Sequence, residues 1–113
     1  MLDTRKAIVA ALEQVQDNVK YELDVQSPTL PLISYKCIDD SVNKYGDTLG
    51  YSDVIYQVKV WTTKMSELAT LTQSIDDKLK AIGLHRTYFS ELKEANVLIG
   101  VMQYTGLVKE NFN

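Results

Sequence analysis

Hydrophobic residues along this chain change period several times, and each change marks an element. From Asp3 to about Gln16 the residues Ile8, Ala11, Leu12 and Val15 recur at three- and four-residue steps, the spacing of one helix face. Asp3 or Thr4 can cap the free amides of its first turn. The period then falls to two: Val19, Tyr21, Leu23 and Val25 alternate with Lys20, Glu22 and Asp24, as a short or edge strand with one polar face would. Residues 26–31 hold Ser27-Pro28 and Leu30-Pro31, and each proline removes a ladder donor and moves its predecessor out of helical space. They read as an extended connector. A second strand follows from Leu32 to about Ile38, with Ile33, Tyr35 and Cys37 on one side and Ser34 and Lys36 on the other.

Residues 39–53 form the longest polar connection, with Asp39, Asp40, Asp47 and Asp53 and flexible points at Gly46 and Gly50. We expect a loop there, longer than a tight hairpin needs. The clearest signal comes next. Val54, Tyr56, Val58 and Val60 share one face of a strand from about Tyr51 to Thr62, while Asp53, Gln57 and Lys59 share the other with Ile55 and Trp61. Leu68, Leu71, Ile75, Leu79 and Ile82 then make one continuous helical stripe. Thr63 or Ser66 is expected to cap its start, and Gly83 suits the left-handed residue just past its end. Leu84 to Phe89 reads as a strand, Ser90 to Asn96 as a charged turn, and Val97 to Val108 as a final strand. Gly100 and Gly106 in that last strand mark bulges or close backbone approach. Residues 110–113 are polar and expected to fray.

The order αβββαββ predicts an α+β domain over residues 1–113, two helices packed on one face of a mostly antiparallel four- to five-stranded sheet. The other sheet face then lacks a cover. In the last strand Val97, Ile99 and Val101 point one way and Leu98, Met102 and Tyr104 the other, and both sets are apolar. We group the second set with Ile55 and Trp61, so Ile55, Trp61, Met102 and Tyr104 become a candidate subunit interface, since an exposed apolar surface of that size marks protein contact.

Composition narrows the function classes. The 113 residues are 45% hydrophobic and 24% charged, ordinary values for one globular domain. Twelve Lys and Arg against fifteen Asp and Glu give a net charge of -3, without the cationic block that nucleic-acid binding uses. No run of eighteen apolar residues occurs, and Met1 to Lys6 open a helix pattern rather than a signal peptide, so a soluble, cytosolic chain without membrane contact is expected. Cys37 is the sole cysteine, which rules out an intrachain disulfide, and its place in a strand alternation reads as an inert thiol.

No catalytic, cofactor or metal site emerges. His85 is the single histidine and reads as a solvated or capping residue beyond a helix end. The aspartates of residues 39–53 lack calcium-loop spacing, and Gly46 to Gly50 lacks a phosphate-binding pattern. Asp76 and Asp77 point roughly 100° apart on a helix and read as a solvated face. The seven tyrosines and Trp61 are interleaved with strand positions, a core and interface signal before a stacking platform.

Over nearly its full length the chain resembles the tail-completion proteins of long-tailed phages and prophages, also called tail terminator or tail-to-head joining proteins. The residues that carry the resemblance are the opening helix from Leu2 to Leu12, Val19-Lys20-Tyr21-Glu22, and Pro31-Leu32-Ile33-Ser34-Tyr35. They continue with Tyr56-Gln57-Val58-Lys59-Val60-Trp61, the helix to Leu79, and the exit Gly83-Leu84-His85-Arg86. Residues 39–53 match no fixed pattern of that family, and the last strand lacks its acidic, glycine-containing approach. The resemblance implies a non-enzymatic virion protein, assembled in the host cytoplasm as a ring, usually a hexamer. That ring ends the tail tube and meets tail tube protein on one side and head connector protein on the other. DNA would pass through it without specific binding. Asp39, Asp40, Lys44 and Asp47 are then candidates for a loop at the lumen or a neighbouring subunit. A head-completion or connector protein, or a small adaptor domain for a host protein, stands as the alternative.

Overall fold

The computed structural model describes residues 4–22, 29–42 and 51–109. Helix α1 (Thr4–Glu13) leads into strands β1 (Val19–Tyr21), β2 (Leu32–Val42) and β3 (Tyr51–Thr62), then helix α2 (Met65–Lys80) and strands β4 (Leu84–Glu94) and β5 (Val97–Lys109). The five strands form one sheet in the order β1-β2-β3-β5-β4. Among the described residues only the β1–β2 pair is parallel; β2–β3, β3–β5 and β5–β4 are antiparallel. The expected α+β architecture in the order αβββαββ is the one observed.

Both helices pack on the same sheet face. Ile8 and Leu12 of α1 and Leu68, Ile75 and Leu79 of α2 join Ile33, Val54, Tyr56, Val58 and Val60 in one buried cluster. Each such side chain contributes about 1.5–3 kcal/mol when fully removed from water. The periodicity of α2 is obeyed closely: Leu68, Thr72, Ile75 and Leu79 are buried, with Leu71 and Ile82 packed against the cluster. Its exit matches expectation too. Gly83 adopts φ 99° and its amide donates to the carbonyl of Lys80 at 3.1 Å. A side chain at φ in that region is strained, so glycine is the fitting residue.

The entry of α2 differs from expectation. Lys64 occupies the cap position without any side-chain cap, so neither Thr63 nor Ser66 serves. Thr62, two residues upstream at the end of β3, does part of that work: its hydroxyl accepts from the Lys64 amide at 3.3 Å and donates to the carboxylate of Glu67.

Three element boundaries also shift. β1 ends at Tyr21, short of the expected Val25, and residues 23–28 lie outside the described residues. Gln16 and Asn18 tie the connector down, both donating side-chain amides to the carbonyl of Pro31 at 3.0 Å, next to the cis Leu30-Pro31 bond. β2 runs on to Val42, so Asp39 and Asp40 belong to a strand and not to a loop. A bulge between Cys37 and Asp39 breaks the two-residue alternation there, which is why the pattern faded. β4 continues through the expected charged turn to Glu94, and the reversal is made by Ala95 and Asn96 alone, with Ala95 at φ 52°.

Candidate functional site

Strand register decides which side chains meet on each sheet face. Val58 pairs with Met102, Tyr56 with Tyr104, and Val60 with Gly100, so Met102 and Tyr104 stand beside the valines under the helices. Both are fully buried in the core. This corrects the expected interface set: Met102 and Tyr104 cannot share a face with Ile55 and Trp61. The glycines of the same strand held the missing signal. A Cβ on Gly100 would lie 2.8 Å from Leu68 Cδ1, so small residues mark the side over which α2 presses.

Ile55 and Trp61 do lie on the face away from the helices, both half-buried. Trp61 sits in a row with Leu32 on β2, Ile99 on β5 and Leu92 on β4. The next row is Ser34, Lys59, Val101 and Ser90, followed by Lys36, Gln57, Gln103 and Tyr88. The apolar character is therefore concentrated at one end, and much of it is already covered. Leu32, Ile99 and Val101 are buried, and the indole Nε1 of Trp61 donates to Ser34 Oγ at 2.9 Å. Lys59 Nζ lies 5.9 Å from the Trp61 ring and 2.5 Å from Glu22, which also reaches Lys36 at 3.9 Å. Long side chains thus close part of the face that the apolar pattern left open.

The exposed hydrophobic residues lie toward the margins of the fold, with Leu92 and Tyr88 at the β4 end of these rows. Among the described residues, the large exposed ones are Ile38, Met65, Tyr88, Phe89 and Leu92. Tyr88, Phe89 and Leu92 belong to β4, an eleven-residue strand paired, among the described residues, on one side only. Ile38 is the bulge residue of β2, beyond the residues Ile33 to Tyr35 that pair with β1. Met65 flanks a groove of about 220 Å³ between α2 and β4, lined also by Leu68, Thr72, Asp76, Arg86 and Phe89. The Thr72 hydroxyl is buried beside it with no hydrogen-bond partner among the described residues. None of these edge residues stood out in the sequence, because β4 alternates only weakly.

One polar network anchors α2 to the strand layer. The buried Tyr104 hydroxyl donates to Asp76, whose other oxygen is 3.5 Å from Arg86 Nη1. The Arg86 guanidinium carbon sits 5.2 Å from the centre of the Phe89 ring. Burial, then the bond to Asp76, pushes the Tyr104 phenol well above its usual range. Asp76 is thus a tethered residue as well as a partly solvated one, and Asp77 remains exposed on the outer side.

Of the expected loop candidates, Asp39 and Asp40 pair by backbone with Ile55 and Val54 at the far end of β2, while Lys44 and Asp47 lie outside the described residues. His85 lies on β4 opposite Thr105, exposed and within a strand, away from any helix cap. Cys37 is half-buried and packed against the core. Among the described residues no group of His, Cys, Asp or Glu is placed to hold a metal ion, and no helix is long and apolar enough to cross a membrane.

No protein-family model and no curated protein matches the chain. A solved structure does. A chain from a structure described as the virion of a native gene transfer agent (GTA) particle superposes with a TM-score of 0.55 at 13% sequence identity, over 93% of each chain. At that identity the similarity establishes a shared fold across nearly the whole length of both chains.

Proposed function

We propose that this chain is a structural virion protein of a phage-like particle, and specifically the neck subunit whose ring terminates the tail tube and joins tail to head. The observation that carries the reading is the fold shared over 93% of both chains with a component of a gene transfer agent virion. The tail-terminator assignment adds the resemblance in element order and in the segments around Leu2–Leu12, Tyr56–Trp61 and Gly83–Arg86. The surface is consistent with assembly: exposed apolar side chains cluster on strand edges, the places where one chain joins another.

In this reading the ring partners are further copies of the chain, with tail tube protein and head connector protein above and below, and the chain performs no chemistry. Deleting the gene from the parent phage is the test. Full heads accompanied by tails of unregulated length that fail to join are the expected outcome. Normal tails with leaking heads would move the chain to the head-completion side of the neck, and intact infectious particles would overturn the proposal.

A further inference from the structure

We infer that two copies of the free chain pair antiparallel through the outer edge of β4, about a two-fold axis that passes through the sheet at Ser90. Among the described residues β4 is hydrogen-bonded to β5 alone, so the other side of its backbone presents a row of donors and acceptors. The residues that border the undescribed stretches stand elsewhere. Thr4 is on α1, Glu22 and Thr29 are beside β1, and Val42, Tyr51 and Lys109 are at the end of the sheet opposite Glu94. A two-fold axis perpendicular to the sheet makes the joined strands antiparallel and keeps both helix layers on one side.

Self-complementarity selects a second copy as the occupant. Beyond the bulge at Thr87, the residues Tyr88, Ser90 and Leu92 lie on the face away from the helices, while Phe89 and Glu91 lie on the helix face. Directly opposed residues of a ladder share a face, so only registers that match like faces qualify. With Ser90 opposite Ser90 of the second copy, Tyr88 stands opposite Leu92, and symmetry makes that contact twice. An exposed aromatic thus meets an exposed aliphatic side chain. Phe89 becomes the diagonal neighbour of its own counterpart, within reach of an aromatic ring. The adjacent registers are poorer: an axis at Glu91 opposes two carboxylates, and an axis at Phe89 sets Tyr88 against Ser90 and parts it from Leu92.

Charge runs the same way. β4 begins with His85 and Arg86 and ends with Glu91 and Glu94 around Lys93, and antiparallel pairing sets the basic start of one strand along the acidic end of the other.

The helix face closes in the same step. Met65 and Phe89 flank the groove between α2 and β4, and both are exposed in the single chain. Across the seam the groove of one copy opens onto the groove of the other. Four of the five large exposed hydrophobic residues among those described, all but Ile38, therefore fall on this one contact. An isologous contact closes at two copies, so it is not the contact that builds a ring and does not rest on the neck reading.

Cysteine cross-linking tests both the pairing and its register in the full chain. In a Cys37→Ala background, Ser90→Cys places a thiol on the axis with its Cα about 4.5–5.5 Å from its counterpart, a span that a disulfide bridges. Mild oxidation should give a covalent dimer at least about tenfold faster than with Lys93→Cys, whose counterpart lies several residues along the seam and beyond disulfide reach. Light scattering should show the wild type at twice the chain mass of 12.8 kDa and Tyr88→Lys/Leu92→Lys at the single chain mass, since lysine on an edge opposes pairing. Circular dichroism establishes that the variants are folded, and Leu92→Lys alone replaces the double variant if the latter unfolds. Equal cross-linking at Ser90 and Lys93, a lysine variant that stays dimeric, or a wild type that is monomeric at millimolar concentration overturns the pairing. Intact particles from the gene-deleted phage would remove the neck reading and leave the cross-link standing, so the two fail separately.

Discussion

Removing the Tyr104 hydroxyl should destabilise the fold measurably although the ring stays in place. Tyr104 is fully buried, and its hydroxyl donates to the carboxylate of Asp76 across the interface of α2 with the sheet. A hydrogen bond to a charged group contributes about 1.5–3 kcal/mol. In Tyr104→Phe the carboxylate keeps partial solvation and Arg86, so the loss belongs near the lower end, about 1.5 kcal/mol. Asp76→Ala is harsher. It strands a buried hydroxyl, worth about 1–3 kcal/mol, with only Met102 Sδ at 3.5 Å as a weak alternative acceptor. It also removes a partly exposed ion pair worth at most about 1 kcal/mol. The double variant should then cost little more than Asp76→Ala, giving a coupling energy of about 1–2 kcal/mol between directly bonded partners. Urea denaturation followed by circular dichroism measures all three, and each kcal/mol moves Tm by about 4–8 °C in a domain of this size.

The same bond sets a pH dependence. The phenol is raised in the folded chain above its ordinary value of 10.0, so its contribution is fully present below that pH. As pH rises further the unfolded chain ionises first and binds fewer protons than the folded one. Stability falls by about 1.4 kcal/mol per pH unit until the native phenol itself ionises. Tyr104→Phe should remove one residue's share of that slope between pH 10 and 11. Equal slopes in the two proteins, or a coupling energy near zero, would refute the network.

Three further outcomes follow from local geometry. Gly106→Ala should prevent correct docking of β5, because a Cβ there would overlap the backbone carbonyl of Gly83; Tm should fall by far more than the few degrees expected for an exposed strand position. Ala95→Gly should raise stability by about 0.5–1 kcal/mol in urea melts, since Ala95 holds φ 52° in a two-residue hairpin turn. Trp61→Phe should lower stability by about 1 kcal/mol, because it removes the donor to the buried Ser34 hydroxyl. A loss of assembly without a loss of stability in that variant would return Trp61 to the role of a subunit contact.

Much of the fold was legible because helix and strand periods are local properties. The stripe of α2, the buried valines of β3 and the left-handed Gly83 follow from residues a few positions apart, and the structure repeats them. The face of β5 was not legible in that way. Alternation separated Met102 and Tyr104 from Ile99 and Val101, but both sets are apolar and only the register with β3 tells which lies under the helices. Gly100 shares the buried face and reports the close approach of Leu68, so glycine position was the usable cue. The long bulged end of β2 stayed hidden for a related reason, since one inserted residue at Ile38 reverses every later side.

The least legible element is the edge strand β4. β4 read as a strand only to Phe89, because Ser90 to Glu94 have polar residues on both faces and a two-residue alternation needs one face to bury. An edge strand has little to bury while its outer side is free: apart from Leu84 and the half-buried Ser90, every residue of β4 is exposed. Its weak pattern and its exposed Tyr88, Phe89 and Leu92 therefore share one cause, the absence of an outer neighbour among the described residues. An edge strand should look underspecified by itself. On that argument, hydrogen exchange offers a check. The outward amides of β4 should be weakly protected in the isolated chain, while those of β3, bonded to β2 and β5 on its two sides, should be strongly protected. Equal protection of the two strands would mean that the outer side of β4 is covered.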